Sequence, residues 1–209
     1  MKFFDCNLAP SPRLVRIFLA EKNVSVDVIN VDLRTGEHLE PTFREINPHC
    51  TVPVLETDNG VRITSTQGCW RYLEEIKPKP PLLGRTAEEK AMISDLLWHI
   101  EMDGLQAVAE GLRNSAPRLK NRAITGPDNF AQNTELGERG KIRGKLFLDR
   151  LDGLLGEKEY IAGDVFTAVD ILTLVIVDFA GWLKITIPET SLQALSWHKR
   201  MTLRSSSQL

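Results

Sequence analysis

At 209 residues, 42% hydrophobic and 26% charged, the chain has enough apolar surface for a sizeable core and falls between one large domain and two small ones. Its 26 Lys and Arg against 28 Asp and Glu leave a net charge of −2, which provides no field to steer a polyanion and argues against a nucleic-acid partner. Three cysteines, Cys6, Cys50 and Cys69, are too few and of the wrong parity for a disulfide framework and match no zinc spacing, so they read as reduced thiols of a cytoplasmic protein that needs no metal.

In chain order, KFFDC reads as a strand and a helix is expected from about Pro12 to Lys22. VSVDVINVD is a second strand, followed by a polar loop. VPVLETDNGVRI reads as two strands joined at Asp58-Asn59-Gly60, and a second helix then runs through RYLEEIK. Strands separated by helices at this interval predict an α/β sandwich with one βαβ unit and a terminal hairpin. The segment KPKPPLLGR, with Pro78, Pro80 and Pro81, breaks the helix and reads as a linker over residues 79–85, dividing a domain at 1–78 from another at 86–209.

Beyond the linker the pattern is helical. Thr86 and Glu89 have the spacing of a capping box, and Met92, Ile93, Leu96, Leu97, Ile100 and Leu105 follow at helical intervals. Residues 114–132, with Pro117 and Pro127, read as a break, and Leu136 to Leu155 as another amphipathic helix. Thr167 and Asp170 form a second capping pair that opens the most apolar helix of the chain, expected at the centre of the core. The stretch Ile171 to Leu183 carries Asp178 and is short of the ~20 residues a membrane span needs, and MKFFDCNLAPSPR lacks the apolar run of a signal peptide.

Four stretches in this order and spacing resemble the cytosolic glutathione S-transferase family over nearly the whole length: APSPRLVRIFLAEKN, INPHCTVPVLETDNG, RYLEEIKPKPPLLG and YIAGDVFTAVDI. The first is most similar to a bacterial and fungal subgroup with an Ala-Pro-x-Pro-Arg opening. The resemblance implies a thioredoxin-like N-terminal domain that holds glutathione as co-substrate, a C-terminal all-helical domain that shapes a place for a small electrophile, and a homodimer.

It also implies roles for particular residues. In Thr51-Val52-Pro53 the family's proline is cis, and Val52 offers its backbone to the cysteinyl part of glutathione as a short β-augmentation. Ser11, ahead of Pro12, is a thiolate donor or a helix N-cap, or both. His38, in Gly36-Glu37-His38-Leu39, meets the glycine carboxylate. ITSTQGCW occupies the place of the family's Thr-Glu-Ser, so Thr66 keeps the hydroxyl that binds the γ-glutamyl carboxylate, while Ser65 lacks the carboxylate that faces the α-ammonium.

The same octet has a plainer use, since Thr64 and Gln67 have capping-box spacing. Cys6, a rival nucleophile, sits at the end of a strand, where a lone cysteine is usually a small buried apolar group. Cys50 in place of glycine, Trp70 in place of a small residue and Arg204-Ser205-Ser206 in place of Arg-Pro-Ser mark a divergent member with a narrowed or altered ligand site. Two functions follow: a glutathione transferase, or a binding or assembly module that kept the fold after glutathione binding weakened. An acid replacing the family Glu would come from Glu101 or Asp103 of the partner subunit. His49, His99 and His198 lack metal-ligand spacing and receive no chemistry.

Overall fold

The computed structural model describes residues 1–209. Packing divides them into two units: Met1–Pro80 with Ile124–Asn129 and Leu209, and Pro81–Ala123 with Phe130–Gln208.

The first unit is built on a four-stranded sheet, β1 (Lys2–Asp5), β2 (Asp27–Asn30), β3 (Val54–Glu56) and β4 (Arg62–Ile63), in the order β2-β1-β3-β4. β1 runs parallel to β2 and antiparallel to β3, and β3 pairs antiparallel with β4. Because β1 is an inner strand, Phe3 and Phe4 point to opposite faces and both are buried. The parallel β1–β2 pair requires a crossover, which α1 (Pro10–Glu21) provides by burying Leu14, Val15, Ile17, Phe18 and Leu19. The β3–β4 turn closes at Gly60, whose φ of +78° suits glycine and whose N–H donates to Thr57 O at 2.9 Å. Between β2 and β3, where the sequence reads as a loop, lie a 3-10 turn at Glu37–Leu39 and a short helix α2 (Pro41–Ile46); six residues are too few to show a helical period.

The helix α3 (Thr66–Ile76) closes the unit against α1. Trp70 stacks on Phe18 with ring centroids 5.5 Å apart and donates Nε1–H to Leu14 O at 3.2 Å. Buried Lys22, at the end of α1, pairs with Glu74 of α3 at 2.6 Å and donates to the Pro80 carbonyl. Trp70 is therefore a core residue between two helices, its bulk absorbed by packing on Phe18.

The second unit is helical: α4 (Ala87–Ile100), α5 (Gln106–Ser115), α6 (Thr134–Leu155), α7 (Ala168–Ala180) and α8 (Leu192–Thr202). α4 and α5 are joined through a π-helical turn at Glu101–Leu105, and Arg143 of α6 donates to Met102 O in that turn at 2.7 Å. α5 and α6 cross where Gly111 meets Gly140: a Cβ at Gly140 would lie 2.3 Å from Gly111 N, so the backbones touch directly. No helix is long and apolar enough to cross a membrane.

α7 is central, as its composition predicts, with every residue but Asp178 buried. Its start is a complete capping box. Asp170 accepts from Thr167 N and Ile161 N at 3.0 Å each, from Thr167 Oγ1 at 3.3 Å and from the indole Nε1–H of Trp197 at 3.0 Å. Thr86 also caps as predicted, but the Glu89 carboxylate reaches one residue further back, to Arg85 N at 2.8 Å, and the Arg85 guanidinium, followed by that backbone bond, holds its pKa down to about 2.

Candidate functional site

The strand register brings the four candidate segments of the first unit to one end of the sheet. β1 and β2 run parallel and end together at Asp5 and Asn30, so the α1 start and the turn carrying His38 both leave from that end. β3 runs the other way and begins there, with Val54 opposite Phe4 and Val52 just before it. β4 runs with β1 again and ends at Ile63, which feeds directly into α3. A shared apolar cluster of Phe4, Cys6, Val31, Phe43, Val52 and Val54, with Ala9, Leu33 and Ile46 packed against it, underlies three of these exits and fixes their spacing.

At the α1 start the sequence-based assignment of the cap changes. The N-cap residue is Ala9, which has no side chain to offer, and Ser11 is the second helical residue. Pro10 and Pro12 have no N–H, and Arg13 N already donates to Ala9 O at 3.3 Å. Of the donors a helix start normally leaves open, only the Ser11 N–H remains, beside a half-buried Ser11 hydroxyl that makes no capping bond. Two prolines thus concentrate this helix terminus on a single residue, and capping is removed as an explanation of Ser11.

At the α3 start the cap is Ser65, whose Oγ accepts from Gly68 N at 3.1 Å; it is neither Thr64 nor the Thr64–Gln67 pair. The register explains this: β4 pairs as far as Ile63, so the first residue free to turn the chain into the helix after Thr64 is Ser65. Gly68 permits the contact, because a Cβ there would lie 2.8 Å from both Ser65 Oγ and Ile63 Cγ2. Cys69 N bonds Ser65 O at 2.9 Å, and the half-buried Thr66, first residue of the helix, presents its N–H and hydroxyl at the terminus.

Val52 and Pro53 are buried and joined by a cis peptide bond. No other residue takes up the N–H or C=O of Val52. The preceding loop is held by buried Asn47, which donates Nδ2–H to Thr51 O at 2.7 Å and accepts from His49 N at 3.0 Å, so the backbone at Val52 is presented from a fixed frame. Sequence reasoning missed Asn47; an Asn before Pro is as often a simple turn residue. His38 is half-buried in the 3-10 turn, which Glu37 braces by accepting from Asp32 N at 2.7 Å.

The three cysteines are free and buried. Cys6 lies inside the apolar cluster, as a small hydrophobe does. Burial pushes the Cys69 thiol up to about 12, so it carries no thiolate near neutrality. Cys50 has φ +52°, the left-handed conformation that makes glycine the natural occupant of this position. No group of His, Cys, Asp and Glu has the makings of a metal site.

Residues 10–76 match the family model described as Glutathione S-transferase, N-terminal domain. Across 209 residues the chain is 34% identical to glutathione S-transferase 2 of Saccharomyces cerevisiae, covering 99% of this chain and 87% of that relative. Among solved structures, Gtt2 from Saccharomyces cerevisiae matches with a TM-score of 0.91 at 33% identity, covering 100% of this chain and 99% of the other. A glutathione S-transferase domain-containing protein of Marinobacter aquaeolei matches with a TM-score of 0.89 at 32% identity, covering 99% and 100%. A thioredoxin-like unit followed by a helical unit is the fold these neighbours share with the chain.

Proposed function

The chain belongs to the glutathione S-transferase family, and from that premise we propose that it binds reduced glutathione at the sheet end just described and transfers the thiolate to a small electrophile. The observation that carries this reading is the pair of open donors on Ser11 at a helix start stripped of all others.

Only the thiolate attacks, and a free thiol with a pKa of ~8.5 is a few per cent ionised at neutral pH. Each hydrogen bond to a charged group contributes roughly 1.5 to 3 kcal/mol, which corresponds to a drop of about one to two pKa units when the anion alone receives it. The N–H and O–H of Ser11, aligned with the positive end of α1, are suited to bring the thiol near neutrality. In the same reading the N–H and C=O of Val52, set by Pro53, pair with the cysteinyl part. Thr66 takes the γ-glutamyl carboxylate at the α3 terminus, and His38 takes the glycine carboxylate. A homodimer in a reducing cytoplasm is part of the proposal, supported by Met92 and Trp98 standing exposed on α4 and Met102 on the π-helical turn that follows it.

Ser65 favours the second reading, a module with weakened glutathione affinity, because its hydroxyl is committed to the helix cap and brings no charge to the α-ammonium. Ser65→Glu tests the two together. Restoring the carboxylate should tighten glutathione about tenfold or more while the lost cap lowers thermal stability by about 1 kcal/mol. Unchanged affinity would mean that another acid already meets the ammonium. Calorimetric titration of the parent with glutathione tests the function itself, and no heat up to high millimolar ligand would leave only the module reading standing.

A further inference from the structure

We propose that Arg16 is the positioning residue for the start of α1, and so for the two Ser11 donors; the link to Ser11 chemistry rests on the function proposed above. Without a side-chain cap on Ala9, and with Pro10 and Pro12 donating nothing, the first turn of α1 has little of its own to hold it. The loop before it is exposed at Asn7 and Leu8. Cys6 and Ala9 are anchored at its two ends by the apolar cluster, and between them the loop is tied down by one backbone bond, Ala9 N to Cys6 O at 2.9 Å, together with the Arg16 guanidinium.

Arg16 lies two turns into α1 and reaches back with its side chain only 13% exposed. Nη1 donates to Asp5 Oδ1 at 2.5 Å and to Cys6 O at 3.4 Å, and Nη2 to Asn7 O at 3.3 Å. Asp5 is the rigid end of this clamp. It is 1% exposed, it terminates the inner strand, and its carbonyl accepts from Val31 N at 2.7 Å. The fork geometry of arginine lets one side chain join the strand end to two successive loop carbonyls, which a lysine ammonium cannot match. Because Asp5 balances its charge, Arg16 acts on the thiolate through the position of Ser11 and adds little field of its own.

The experiment compares the parent with Arg16→Lys, which keeps the ion pair and loses the fork, and with Arg16→Met. Amide hydrogen exchange on the ligand-free proteins should speed up at Ala9 and Arg13 by roughly tenfold in both variants, with Leu14 to Leu19 as protected as in the parent. The pH profile of kcat/KM with a chromogenic aryl halide should move alkaline by about one unit, lowering kcat at neutral pH about tenfold and changing the glutathione KM far less. Unchanged exchange at Ala9 overturns the clamp. Faster exchange with an unshifted pH profile overturns its link to Ser11. If the parent itself shows no binding or turnover, the transferase reading fails and the exchange data still decide the role of Arg16. Should Arg16→Met strand the buried Asp5 charge and fail to fold, the paired Asp5→Asn/Arg16→Met variant replaces it.

Discussion

Asp170→Asn is expected to lower unfolding stability by about 3 to 5 kcal/mol, although the two side chains are nearly isosteric. The ionised carboxylate only accepts, and here it faces four donors: Ile161 N, Thr167 N, the Thr167 hydroxyl and the Trp197 indole. An amide in either orientation turns an N–H2 toward two of them, leaving buried donors opposed and unsatisfied at roughly 1 to 3 kcal/mol each. The damage falls where the fold can least absorb it, because Asp170 is fully buried at the start of the central helix and joins α7 to α8 through Trp197. Burial pushes its carboxyl up, against the four donors that hold it down. For a chain of this size the loss corresponds to a fall in Tm of roughly 10 °C. Denaturant unfolding within about 1 kcal/mol of the parent would show that the carboxylate is not the centre of this network.

Ser11→Ala is the variant with the largest expected effect on turnover. It removes one donor from the proposed thiolate, so kcat/KM near neutral pH should fall about 10- to 100-fold and the pH profile should move alkaline by one unit or more. Stability should stay within about 0.5 kcal/mol, because the hydroxyl caps nothing. Turnover and pH profile that survive the substitution would transfer the role to the Ser11 N–H or to a water held at the helix start.

Much of the fold was readable because local chemistry and tertiary placement agree. Thr167 and Asp170 show it best: a hydroxyl and an acid at capping spacing, followed by an unbroken apolar run, leave one sensible reading. The turn at Asp58-Asn59-Gly60 is of the same kind, since the turn residues and the strand pattern on each side agree. α8 was not resolved from the general helical texture, and the π-helical turn inside the long helix has no local sequence mark; Gly104, which lets Phe147 and Ile176 approach, becomes meaningful only with the packing in view.

The site divides along the same line. That segments around residues 11, 38, 52 and 66 belong together came from family resemblance, and the register of four short strands is the physical reason they meet. Which hydroxyl does what could not be read locally. Thr64, Ser65 and Thr66 are three acceptable caps in a row, and only the end of β4 pairing at Ile63 selects Ser65. Ser11 beside Pro12 looks like a cap until the helix proves to begin at Pro10. Arg16 falls within the first stretch of the family resemblance, but nothing local marks its role, because its partners are a strand end and two loop carbonyls that the fold alone brings within reach.

The most direct measurement of the central claim is the ionisation of glutathione while it is bound, followed by thiolate ultraviolet absorbance against pH at saturating protein. An apparent pKa at least one unit below the free value of ~8.5, moved back toward it in Ser11→Ala, is the result predicted here. Glutathione that binds with an unshifted thiol, or that does not bind, would contradict it.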